Sequence, residues 1–184
     1  MVISSIEPER FVFVDECSSN TSLAPFYGWA GKGERAHQRV PRNWGKNITL
    51  ISSIGKEGGM GASLVVEGST NGTVFETYLE KVLLPTLKRG QVVVMDDLSA
   101  HKGQRVRDLI EGEGCKLLYL SPYSPDFNPI EQAFSKLKSY LRSACARSRQ
   151  TLMEVIGEAL STITTSDAEG FFEHCGYRAM VQSL

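Results

Sequence analysis

Two short apolar runs, each followed directly by aspartate, most constrain the fold: Phe11-Val12-Phe13-Val14 before Asp15, and Val92-Val93-Val94-Met95 before Asp96. Runs of four apolar residues rich in β-branched side chains predict strands buried on both faces, as in an α/β sheet. A carboxylate just past such a strand lies at the sheet rim, where open α/β sheets bind their ligands. A third acid, Glu131, opens a helix behind a turn in which Pro122, Pro125 and Pro129 fall within eight residues. Two aspartates and a helix-start glutamate form a hard-oxygen set suited to Mg²⁺ rather than to a soft metal.

At 184 residues the chain fits one domain, residues 1–184, long enough to bury roughly 70% of its unfolded surface. No apolar stretch approaches a membrane span, and the start lacks the basic and apolar regions of a secretory signal, so a cytoplasmic location is expected. Cys17, Cys115, Cys145 and Cys175 are scattered without a C-x-x-C pair, which predicts reduced thiols packing as small apolar groups.

The net charge of −1 argues against a polyanion partner only when averaged over the chain. Lys32, Arg35, Arg39, Arg42 and Lys46 fall in one segment with a single acid, Glu34. Lys136, Lys138, Arg142, Arg147 and Arg149 fall in another with none. Two such segments can bind nucleic acid, although a solvated face explains either one alone.

Along the chain, a strand ending at Asp15 leads through Tyr27-Gly28-Trp29 into the basic loop. Strands over 48–54 and 62–66 flank the glycine-rich turn Gly55–Gly61. Thr73-x-x-Glu76 reads as a capping box before a helix that ends near Pro85. After the Asp96 strand come a helix over 102–111, a strand over 116–120, and the helix opened by Asn128-Pro129-Ile130-Glu131. Asn128 is the expected N-cap, with Glu131 at the capping-box position, and Thr151-x-x-Glu154 starts a last helix. Three antiparallel strands and two joined by right-handed crossovers predict a mixed five-stranded sheet flanked by helices. That topology sets the Asp15 and Asp96 strands side by side.

Val93 to Lys102, followed by Ser121 to Glu131, resembles the catalytic core of DDE transposases, nearest the insertion-sequence 630 and mariner-like superfamily. The 34 residues between Asp96 and Glu131, 97 to 130, match the spacing of that superfamily. Phe13-Val14-Asp15-Glu16 resembles its first-aspartate segment, and Tyr27-Gly28-Trp29-Ala30 the stretch after it. The resemblance implies an RNase H-like fold, with Asp15, Asp96 and Glu131 holding two Mg²⁺ ions that Mn²⁺ can replace. It also implies nicking at element ends and attack of the freed 3′-hydroxyl on target DNA, commonly at TA. Asp97 stands where relatives carry Asn, and His101 matches a histidine often present, so both are possible accessories.

The resemblance further implies that the segment with Trp29 and Trp44 is a loop reaching a partner subunit, hence a homodimer. Lys32, Arg35, Arg39, Arg42, Lys46, Lys136, Lys138 and Arg142 are then candidate DNA contacts. About ten residues precede the first strand, too few for the helix-turn-helix modules such transposases use, so a separate polypeptide or reading frame is the expected source of DNA recognition. A bacterial, nucleoid-associated protein is expected. Two alternatives stay open: an RNase H-like nuclease without strand transfer, and an inactive fragment that binds DNA or a partner.

Overall fold

The computed structural model describes residues 6–43, 45–96, 103–121 and 124–178. Its strands are β1 (Phe11–Ser19), β2 (Ile48–Gly55), β3 (Gly59–Glu67), β4 (Val92–Met95) and β5 (Lys116–Tyr119). They form one sheet in the order β3-β2-β1-β4-β5. β1, β2 and β3 pair antiparallel, whereas β1–β4 and β4–β5 are parallel, giving the mixed sheet expected.

Among the described residues, it is covered by the α-helices α1 (Gly72–Tyr78), α2 (Gln104–Gly112), α3 (Pro129–Ala144), α4 (Arg149–Ser161) and α5 (Thr165–His174). Alternation along the strands divides the core in two. Phe11, Phe13, Val92 and Val94 pack with Ile130, Phe134 and Leu137 of α3, Ile156 of α4 and Phe172 of α5. Val12, Val14, Val93 and Met95 pack on the other face with Phe75 and Tyr78 of α1 and Val106 and Ile110 of α2. A strand that must satisfy both layers is apolar at every position, which is why these runs do not alternate.

β1 does not end at Asp15, as its apolar run suggests, but continues to Ser19 against β2. What stops at Val14 is the pairing with β4. The polar half of β1 is kept in the ladder by partners on β2, such as Ser18 Oγ and Thr49 Oγ1 at 3.0 Å. Asp15 is therefore mid-strand, at the point where its parallel neighbour leaves off.

Three helix starts also differ from expectation. α1 is capped by Asn71, whose side chain accepts from Val74 N, rather than by Thr73. It runs into a wider π-helical turn (Leu79–Leu83) and a 3₁₀ turn (Leu84–Thr86), consistent with Pro85 denying the α-ladder a donor. α4 begins at Arg149, two residues before Thr151, and is capped by Ser148, which accepts from Thr151 N. α5 was not anticipated: it buries only Ala168 and Phe172, too few apolar positions to show a clear period, yet Thr164 and Asp167 form a capping box.

All four cysteines are free. Among the described residues, no helix is long and apolar enough to cross a membrane.

Candidate active site

β1 and β4 set the site. Val14 and Met95 are the last pair of the parallel β1–β4 register, and each is followed directly in the chain by an aspartate, Asp15 within β1 and Asp96 just past the end of β4. Asp15 shares its parity with Phe11 and Phe13, so it belongs to the sheet face covered by α3. Asp15 is buried and Asp96 half-buried.

Both Asp15 oxygens accept hydrogen bonds. Glu16 N donates to Oδ1 at 2.7 Å, and Asn128 Nδ2 donates to Oδ2 at 2.9 Å. Each carboxylate oxygen has two lone pairs, so these bonds do not exhaust its capacity to bind a cation. The second bond spans 113 residues and ties the middle of β1 to the start of α3. That turn is fixed from outside by Tyr177, whose hydroxyl donates to Phe127 O at 2.8 Å.

Glu131 lies in the first turn of α3 and is exposed. Its neighbourhood with Asp15 is visible at Cys17, two residues along the same β1 face. Burial pushes the Cys17 thiol up; Lys138 opposes this, and Glu131 and Asp15 reinforce it. One thiol thus senses two of the carboxylates and a lysine. Among the described residues, however, no three His, Cys, Asp or Glu side chains stand close enough together to hold a metal ion. The fold brings Asp15, Asp96 and the Glu131 turn to one rim without closing them around a point. Asp97, His101 and Trp44 lie outside the described residues.

Asn128 is where the expectation fails most usefully. It is the N-cap of α3, but its side chain makes no cap hydrogen bond, so the expected capping box with Glu131 does not form. The amide is turned onto Asp15 instead.

The basic residues of α3 divide by helical row. Residues three or four apart share a face, so Glu131, Ser135, Lys138 and Arg142 form one row and Gln132, Lys136 and Tyr140 another. The second row is tied to the neighbouring helices: Lys136 Nζ meets Asp167 Oδ2 at 2.6 Å and Tyr140 donates to Glu158 at 3.2 Å. The first row borders the site, with Lys138 against Cys17 and the Arg142 guanidinium 4.1 Å from the Phe26 ring centre. Arg147 donates to Thr21 O and Leu23 O, and Arg149 pairs with Glu67.

Residues 20–47 form an arm between β1 and β2 with no helix or strand among its described residues. It folds back at a turn closed by Glu34 N donating to Gly31 O at 2.9 Å, where Gly33 takes φ +87°. Lys32, Arg35, Arg39, Arg42 and Lys46 are exposed or partly exposed along it. Tyr27 (92%) and Trp29 (102%) are almost fully exposed, and Phe26 largely so.

Residues 10–153 match a family described as DDE superfamily endonuclease. The chain belongs to that family. No curated protein matches it by sequence. Among solved structures, the Mos1 strand transfer complex aligns with a TM-score of 0.70 at 19% identity, covering 91% of this chain and 52% of that one. The mariner Mos1 paired end complex with Mg gives 0.66 at 18%, covering 91% and 51%. The catalytic domain of Mos1 mariner transposase gives 0.62 at 16%, covering 92% and 78%. This DDE-family chain therefore has the RNase H-like fold of that catalytic domain and spans about half the length of the transposase chains in the complexes.

Proposed function

We propose that this chain is the catalytic domain of a DNA transposase that cleaves strands at element ends and joins the freed 3′-hydroxyl to target DNA, at TA dinucleotides. The observation that supports this is the β1–β4 register, whose last pair, Val14 and Met95, is followed in each case by an aspartate, with Asp15 bonded to Asn128 at the start of α3. An RNase H-like sheet whose rim carries two aspartates and a helix-borne glutamate is a cradle for divalent metal.

The side chains fit Mg²⁺ or Mn²⁺: every candidate donor is an oxygen, and the buried Oδ1 of Asn128 beside Asp15 has no hydrogen-bond partner among the described residues. Asp15, Asp96 and Glu131 would hold the ions, and exposed Glu131 can close on the two aspartates through its own rotamers. When bound, a metal pair supplies a lowered pKa for the attacking water or 3′-hydroxyl and charge stabilisation at the scissile phosphate. The protein's part is to present Asp15 from within the sheet and Asp96 from just past its β4 edge, while Glu131 comes from the first turn of a helix. Lys138 and Arg142, on the row of Glu131, would track the DNA backbone past the site. Lys136 is engaged with Asp167 and has a structural part instead.

The arm would reach a second copy of the chain or its DNA, pairing two ends in a homodimer. Its exposed aromatics can stack or bury at an interface, and its cations neutralise phosphate. Recognition of element ends would come from a helix-turn-helix polypeptide or segment.

A pre-cut DNA end incubated with Mg²⁺ or Mn²⁺ tests this. Wild type should nick and give strand-transfer products, and Glu131→Gln should lose both by at least about 10²- to 10³-fold, the scale of removing one preorganised electrostatic group, while keeping its fold. Nicking without joining would make the chain a nuclease. Equal activity in both proteins would remove Glu131 from the site.

A further inference from the structure

Asn128 stands apart from the other polar N-caps of this fold. Asn71, Ser148 and Thr164 each turn a side-chain oxygen back onto the first turn of their helix. Asn128, 4% exposed, leaves α3 without that bond and gives its Nδ2 to Asp15 Oδ2. Its orientation is fixed by chemistry, because an ionised carboxylate can only accept, so the nitrogen must face Asp15. The carbonyl oxygen is then left buried with no hydrogen-bond partner among the described residues. An asparagine serving only the helix would bond the helix. One serving only Asp15 would have no reason to bury an unsatisfied oxygen beside it.

We propose that Asn128 is a positioning residue of the metal site: its N–H holds Asp15 in the ion-accepting rotamer, and its Oδ1 accepts from the hydration shell of a divalent ion held there. This rests on the transposase reading above and adds a function for a side chain outside the three carboxylates. It also gives α3 a mechanical link to the ion independent of Glu131, since the same turn carries both residues. Partners of metal-bound carboxylates orient the ligand and tune its affinity, and their loss typically weakens metal binding by roughly 10- to 100-fold.

The test measures Mn²⁺ affinity by electron paramagnetic resonance of the free ion, and the melting temperature of the metal-free protein. The set is wild type, Asn128→Leu, Asn128→Ser and Asp96→Asn. Leu keeps the volume and removes both polar ends. Ser is as good an N-cap as Asn but too short to reach Asp15. Asn128→Leu and Asn128→Ser should both bind Mn²⁺ about 10- to 100-fold more weakly, with Asn128→Ser melting within a few degrees of wild type. Wild-type affinity in Asn128→Ser would mean that the bond to Asp15 does nothing for the ion and would overturn the proposal, whether or not Asn128→Leu folds. Failure of the transposase reading looks different: Asp96→Asn would then bind Mn²⁺ as well as wild type, or neither would bind it.

Discussion

The catalytic rim and the arm are built on opposite terms, although they are consecutive in the chain. At the rim Asp15 is specified twice, by strand register and by the start of the helix above it, whereas Glu131 is exposed on the first turn of α3. Asp15 sits between a β2 partner, Ser52, and a long-range bond from Asn128, one residue past the end of the β4 pairing. Five residues later the ladder ends and the arm begins, held to the body by α3's end: Arg147 on Thr21 O and Leu23 O, Arg142 over Phe26, and Gln38 Nε2 on Cys145 Sγ at 2.9 Å. Under the proposed function, the chemistry would draw on the part that folding fixes, and partner contact on a segment with anchored roots and an exposed tip.

Arg147→Ala strikes that division hardest. It removes two charge-assisted bonds from partly buried carbonyls, a local loss of roughly 1.5–3 kcal/mol. The expected result is rapid proteolysis within 20–47, a much smaller change in the melting of the body, and nicking of a pre-cut end retained while two-ended products fall. If the whole protein melts several degrees lower with the arm no more cleavable, rim and arm are one cooperative unit and the contrast fails.

A smaller effect separates the two rows of α3. Lys138→Ala should weaken DNA binding several-fold and reduce the slope of log affinity against log salt by about one, the release of one phosphate contact. Lys136→Ala should leave that slope unchanged and lower stability slightly, because Lys136 faces Asp167. Equal slopes for both variants would show that the rows do not divide DNA contact from packing.

How much of this was legible follows from which forces wrote it. The sheet and the pairing of the strands that lead to Asp15 and Asp96 were readable because burial on both faces forces continuous apolar runs, and crossover handedness then leaves few orders. The continuation of β1 past Asp15 was hidden, since a strand with one neighbour tolerates Glu16 and Ser18. The division of α3 was half visible: the 3.6-residue period assigns Lys138 and Arg142 to the row of Glu131, but only the packing of α5 shows that Lys136 has a partner. Asn128 was found at its correct place and given the wrong task, because one residue type serves both a cap and a reach across to a strand. Only the direction of the side chain distinguishes them, and that depends on a residue 113 positions away.

The smallest effect concerns the structural row alone. The hydrogen bond from Lys136, helped by Thr164 N and Oγ1, pulls the Asp167 carboxyl down from 3.8 to about 2. A depressed carboxyl stabilises the fold above its unfolded pKa, and that contribution is lost as pH falls from about 4 through 2. Exposure of this pair to solvent keeps the contribution small. Asp167→Asn preserves an acceptor for Thr164 and removes the charge, so its melting temperature should lie slightly below wild type at pH 5 and 7 and converge with it near pH 2. DNA binding of Asp167→Asn at neutral pH should match wild type or exceed it slightly, because Lys136 is released without leaving its row. A marked loss of binding would instead mean that the Lys136–Asp167 pair holds α3 in its working position, and the row assigned to packing would belong to the DNA interface as well.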